Sequence, residues 1–158
     1  MEQARVEEAA EHFGRYAGTF IQLLDSDVAG HDFLIELQRQ VAKLYSMAAE
    51  LPQVFPSGEP LSEGMSNDES SALHRGLGRR LPFALYWEIF EPVGSGKEPP
   101  APVVGDLSDD LADIYRDLHR GFAQPSAADR IWSWRFNWEI HWGRHAIAAL
   151  RAITEALR

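Results

Sequence analysis

Apolar residues in the first fifty positions recur every three or four residues, and that period admits one kind of backbone. Val6, Ala10, Phe13, Ala17, Phe20 and Leu24 step by four and three, and only a helix gathers such positions on one face. A polar turn at 25–30 leads to a second stripe, Leu34, Leu37, Val41, Leu44, Ala48 and Leu51. Asp32 is the expected N-cap of that helix, and Pro52 stops it. Two long amphipathic helices joined by a short turn are predicted to fold back on each other as an antiparallel hairpin. At 158 residues the chain has the length of one domain, enough to hide roughly two-thirds of its unfolded surface.

The rest of the chain reads as further helices separated by two irregular linkers. Residues 52–65 are rich in Pro, Gly and Ser. Ser66 with Glu69 forms a capping box for a helix from about 67 to 80, carrying Leu73 and Leu77 and weakened by Gly76 and Gly78. Pro82 is placed to open a short helix through Leu85, Tyr86, Ile89 and Phe90, with a strand as the alternative. Residues 91–105 cannot be regular, and so long a loop is the expected mobile part. Its GSGK at 94–97 has no helix following it, so it is not a phosphate-cradling loop. Asp106 or Ser108 caps a helix with a buried stripe of Leu107, Leu111, Ile114, Leu118 and Phe122.

The last segment, about 127–157, is expected to be one unbroken rod. At 100° per residue one face collects Trp134, Trp138, His141, His145, Ala148, Ala149 and Ala152. The other collects Trp132, Phe136, Ile140, Gly143, Ile147 and Leu150. Apolar character on two faces predicts a helix buried on both sides and central in its bundle, with Gly143 allowing a neighbouring helix to approach. The fold class is therefore all-α: residues 1–158 as a single-domain bundle of about five helices around a long aromatic-rich C-terminal helix.

Composition removes several classes of function. The formal charge is −9, and such a surface repels phosphate backbones and anionic lipid, so neither nucleic acid nor membrane is an expected partner. There is no cysteine, which excludes disulfides, thiolate metal sites and thiol nucleophiles. The start Met1-Glu2-Gln3 lacks the basic and apolar run of an export signal, and no apolar run approaches the roughly 20 residues of a membrane span. An acidic cytoplasmic protein is expected.

Four segments carry a family likeness: LYSMAAELP (Leu44 to Pro52), YWEIFEP (Tyr86 to Pro92), GDLSDDLADIYRDL (Gly105 to Leu118) and WSWRFNWEIHWGRHAIAALRA (Trp132 to Ala152). The chain resembles the bacterial domain-of-unknown-function 5063 family. That resemblance implies a bacterial, stand-alone helical protein and brings no established activity or catalytic residue with it.

Three constellations bear on chemistry. His141 and His145 lie one turn apart beside Trp134 and Trp138, and rings held in an apolar region need hydrogen-bond partners. The carboxylates of the preceding helix are the candidates, with Asp110 and Asp113 taken into the expected site. These six residues make up the expected ligand pocket or polar cluster. An i, i+4 histidine pair can also chelate a transition metal with a carboxylate from the facing helix, although Trp142 stands where an HExxH motif needs its glutamate. Glu88 and Glu91, with Asp110 and Asp113, weakly resemble the Mg²⁺-binding pattern of the all-α MazG-type nucleotide pyrophosphatases, except that Asp110 stands where that family has Glu. Against this, Asp109 and Asp113 fall opposite the buried stripe beside Arg116 and Arg120, as a solvated face would. Trp132, Trp134, Trp138 and Trp142, with Tyr86, Trp87 and Tyr115, are read as core before pocket. The expected function is a non-enzymatic module binding a protein or small ligand without a cofactor. The alternative is a hydrolase of nucleotides or phosphoesters dependent on Mg²⁺ or another divalent metal.

Overall fold

The computed structural model describes residues 2–94, 96 and 98–158. Helices α1 (Glu2–Asp25) and α2 (Gly30–Ala49) form the predicted hairpin. Both stripes are buried apart from the half-buried Val6, with Phe13, Phe20, Phe33, Leu37 and Leu44 among the most enclosed side chains. The turn between them depends on Gly30 at φ 69°, a left-handed conformation that costs glycine little. The residue at the N-cap is Ala29, so Asp32 lies within the first turn, where it still meets the positive end of the helix dipole.

The linker 52–65 has no regular structure, but it is strapped to residues 124–129. Ser57 donates through its backbone N–H and its hydroxyl to Asp129 at 2.7 and 2.9 Å. Ser62 and Gln124 exchange two hydrogen bonds. Helix α3 (Asn67–Arg80) begins with the Ser66–Glu69 capping box. Near its end Arg80 reaches across to the last carbonyls of α1, at Leu23 and Leu24, and lies over the Phe33 ring.

The short helix predicted after Pro82 does not form. Residues Leu85–Glu88 are a strand, β1, paired antiparallel with β2 (Val103–Asp106) in the register Tyr86↔Gly105. Part of the segment expected to be irregular is therefore regular: two short strands satisfy one another's backbone groups beside a helical core that offers them none. Ser95 and Lys97 of the GSGK segment lie outside the described residues. The hairpin is inverted relative to a soluble sheet, with Leu85 and Trp87 facing outward and Tyr86 and Glu88 turned inward.

Helix α4 (Leu107–Phe122) is capped by Asp106, which accepts from the backbone of Ser108 and Asp109. It packs against α1 and α3 and against every part of the C-terminal rod. That rod comprises α5 (Ala127–Asn137), a π-helical turn (Trp138–Trp142) and α6 (Gly143–Ala156). It is continuous but not uniform. A π turn carries one extra residue, so a wheel drawn at constant pitch loses phase beyond it. The buried apolar side chains run Ile131, Trp134, then Trp142, Ala146, Ala149, Ala152 and Ile153. Phe136, Ile140 and Ile147, expected to be buried, are exposed, so the rod is covered on one side and not on two. Gly143 serves the π turn itself: a Cβ there would lie 2.4 Å from the Trp138 carbonyl oxygen. The buried residues of all five helical rods form one connected cluster. No helix among the described residues is long and apolar enough to cross a membrane.

Candidate functional site

Where α4 runs antiparallel to the C-terminal rod, the two helices interleave their titratable side chains. Asp110, Asp113 and Asp117 are spaced three and four apart on α4, and His141 and His145 four apart on the rod. Both spacings keep side chains on one helix face. The rungs alternate as Asp110, His145, Asp113, His141, Asp117. His145 Nδ1 donates to Asp110 Oδ1 at 2.7 Å, and His141 Nδ1 donates to Asp117 Oδ2 at 2.6 Å. The remaining nitrogens both turn toward Asp113: Oδ2 is 3.3 Å from His145 Nε2 and 3.9 Å from His141 Nε2. The two rings meet edge to face with centroids 4.8 Å apart. Arg116 holds the other oxygen of Asp113 at 2.6 Å.

Burial grades across this ladder. Asp110 and Asp117 are buried, while the His145 and His141 side chains are 25% and 34% exposed. Buried carboxylates without partners would be costly, so each is paired with an imidazole, and Asp110 has a second donor. Tyr86 reaches it from β1, its hydroxyl donating to Oδ2 at 2.5 Å. Tyr86 can do so because its ring lies across Gly105, its cross-strand partner, where a Cβ would sit 2.4 Å from the ring. The Asp110 hydrogen bond raises the His145 pKa, and burial opposes it. Burial, and then the bond to Asp110, pushes the Tyr86 phenol far above its ordinary range. Burial and the nearby Asp110 charge also raise the Glu88 carboxyl.

Beside the ladder the hairpin arm and the rod enclose a groove of about 680 Å³. Tyr45, Tyr86, Phe90 and Trp138 contribute aromatic wall, while four carboxylates, Arg144, Arg151 and the His145 imidazole also line it. The Arg144 guanidinium lies over the Phe90 ring. Trp138 packs edge-on against Tyr45, and its buried Nε1 has no hydrogen-bond partner among the described residues.

Of the six residues expected in the cluster, four come together: Asp110, Asp113, His141 and His145. Asp113 faces the imidazoles and not a solvated face. Trp138 flanks the groove. Trp134 stands apart in the core between Phe13 and Phe122, donating to the Leu118 carbonyl. The acidic set considered for Mg²⁺ is divided. Glu88 is on a strand and Glu91 in the loop after it, so the two are not a helical i, i+3 pair, and Asp110 is held by His145 and Tyr86. Two residues of the ladder are not among those expected. Asp117 is one, although its spacing of four from Asp113 matches that of the two histidines. Arg116, as the partner of Asp113, is the other.

Comparison with known proteins places the chain by family and by fold. No curated protein matches it. The crystal structure of protein BF1032 from Bacteroides fragilis, a structural genomics target, superposes with a TM-score of 0.78 at 20% identity, covering 92% of this chain and 90% of that one. At that identity the likeness is one of fold. The model of the family described as "Domain of unknown function (DUF5063)" matches residues 4–158. Nearly the whole helical chain, ladder and groove included, falls within that match, and the protein belongs to the DUF5063 family.

Proposed function

We propose that this chain is a small-ligand-binding module, with the groove between the hairpin arm and the C-terminal rod as its site. The observation that carries this reading is the groove's composition: four aromatic side chains interspersed with ionisable ones of both signs, in a volume suited to a small molecule. The inverted hairpin supports it, since β1 spends its inward face on a hydroxyl and a carboxylate while leaving Trp87 outside. The polar groups at the ladder end of the groove, Tyr86, Asp110 and His145, are engaged with one another, which favours recognition over bond-making. The ligand class is an amphipathic molecule with a flat apolar body for the aromatic walls and a polar head able to accept from Arg144.

The test is a melting and tryptophan-fluorescence screen against aromatic and aliphatic acids and amines. A ligand at a hundredfold excess over its Kd stabilises the fold by about 2.7 kcal/mol. Phe90→Ala weakens its binding and Ala148→Trp, which fills the groove, abolishes it. Binding indifferent to both substitutions refutes the assignment. Hydrolysis of nucleotides or phosphoesters is the competing reading. Its Glu88–Glu91 metal route lacks geometric support, so it predicts phosphate release that depends on the ladder histidines.

A further inference from the structure

We propose that Asp113, His141 and His145 form a binding site for a first-row divalent transition metal. The inference goes beyond the groove and stands without it, because Asp113 and His141 do not line that groove. One carboxylate oxygen and two imidazole nitrogens present ligand atoms within 4.8 Å of one another. Their orientation favours a cation. Each Nδ1–H is committed to a buried carboxylate, Asp117 or Asp110, and such a bond fixes the tautomer that leaves Nε2 free to ligate. Both Nε2 atoms converge on Asp113 Oδ2. Arg116 occupies Oδ1, so Asp113 offers a single oxygen.

Charge points the same way. Ligation takes both imidazoles in their neutral form; three carboxylates against one guanidinium then leave two negative charges, which one divalent cation cancels. Two nitrogens and one oxygen suit zinc, cobalt, nickel or iron, whereas magnesium and calcium prefer oxygen ligands throughout. Three protein ligands leave a coordination position for water, and the partly exposed histidines leave the ion a way in.

The experiment titrates metal-stripped, tag-free protein with Co²⁺, read by visible absorption, and with Zn²⁺, read by calorimetry. One ion per chain is expected, with no displacement by excess Mg²⁺. His141→Ala, His145→Ala and Asp113→Ala each abolish uptake. Asp110→Asn and Asp117→Asn, which act through the imidazoles, weaken it roughly 10–100-fold. Glu88→Gln and the groove-filling Ala148→Trp leave it unchanged. Circular dichroism checks that each variant is folded, and His141→Gln replaces the alanine variant if that one unfolds. No saturable signal from either metal, uptake surviving the histidine substitutions, or displacement by Mg²⁺ overturns the proposal.

Discussion

Gly121→Ala is the sharpest test of how the C-terminal rod is seated. In an exposed helix this change is favourable, by about 1 kcal/mol. In α4 a Cβ at position 121 would fall 2.0 Å from Trp134 Nε1 and 2.2 Å from its Cδ1. The indole cannot swing aside. It has no exposure to solvent, and it is wedged between Phe13 and Phe122 with centroids 5.0 and 5.1 Å away. Overpacking of this kind costs about 1–3 kcal/mol. Pulling the indole N–H from the Leu118 carbonyl, now 3.0 Å away, adds about 1–3 kcal/mol for a buried donor left unsatisfied. After the gain in helix propensity the net loss is about 3 kcal/mol, or roughly 6–12 °C in Tm for a chain of this size. Gly76→Ala is the internal control: nothing lies within 4 Å of a Cβ there, and the same chemical change should stabilise by about 0.4–1 kcal/mol. Urea and thermal melts followed by far-UV circular dichroism compare the two. If Gly121→Ala stabilises as Gly76→Ala does, the indole is not lodged against α4 and the packing assigned to Trp134 is wrong.

Three further outcomes rest on the polar contacts. His141→Ala and His145→Ala should each destabilise the metal-free protein by about 1–3 kcal/mol, because Asp117 or Asp110 is left buried without its partner; chemical denaturation showing no change for both would mean that the ladder does not form. Gly105→Ala drives the Tyr86 ring off β2 and away from Asp110, so spectrophotometric titration should show one more of the four tyrosines ionising near pH 10 than in the parent protein. Asp129 is pushed up by burial, but hydrogen bonds from Ser126 and Ser57 outweigh that and hold its carboxyl below the ordinary aspartate value. A depressed acid contributes stability above its unfolded pKa, about 3.9, and loses it as pH falls through the folded value. The stability gap between the parent and Asp129→Asn should therefore be full at pH 7 and close in acid below about pH 4; a gap independent of pH would mean that the Ser57 strap is not made.

Much of the site is legible in the spacing of residues. His141 and His145 share a face in any helix, and so do Asp110, Asp113 and Asp117, so spacing alone directs the search for the histidines' partners to α4. Asp117 is among those α4 carboxylates, but its pairing with His141 is not singled out, because a helix wheel shows which side a residue takes and not what stands opposite. Tyr86 reads only as a possible pocket aromatic, since its link to Asp110 runs through a cross-strand pairing with Gly105 that no local pattern encodes. The strand is the weaker reading of 82–90, because four residues of helix-compatible spacing cannot reveal a partner fifteen residues downstream.

Local sequence is enough to define the long helices, the caps at Ser66 and Asp106 and most of the faces they bury, since periodicity and capping act over one or two turns of a single segment. Composition is enough for the net charge and for the absence of thiol chemistry. Folding in three dimensions settles the rest: where the C-terminal rod changes phase, which of its aromatic residues are covered, and that acids and imidazoles interleave across a helix seam. Those features depend on non-local contacts. The π turn, the bared Ile140 and Ile147, and the convergence of two nitrogens on Asp113 arise from how α4 and the rod approach each other, and neither helix specifies that approach alone.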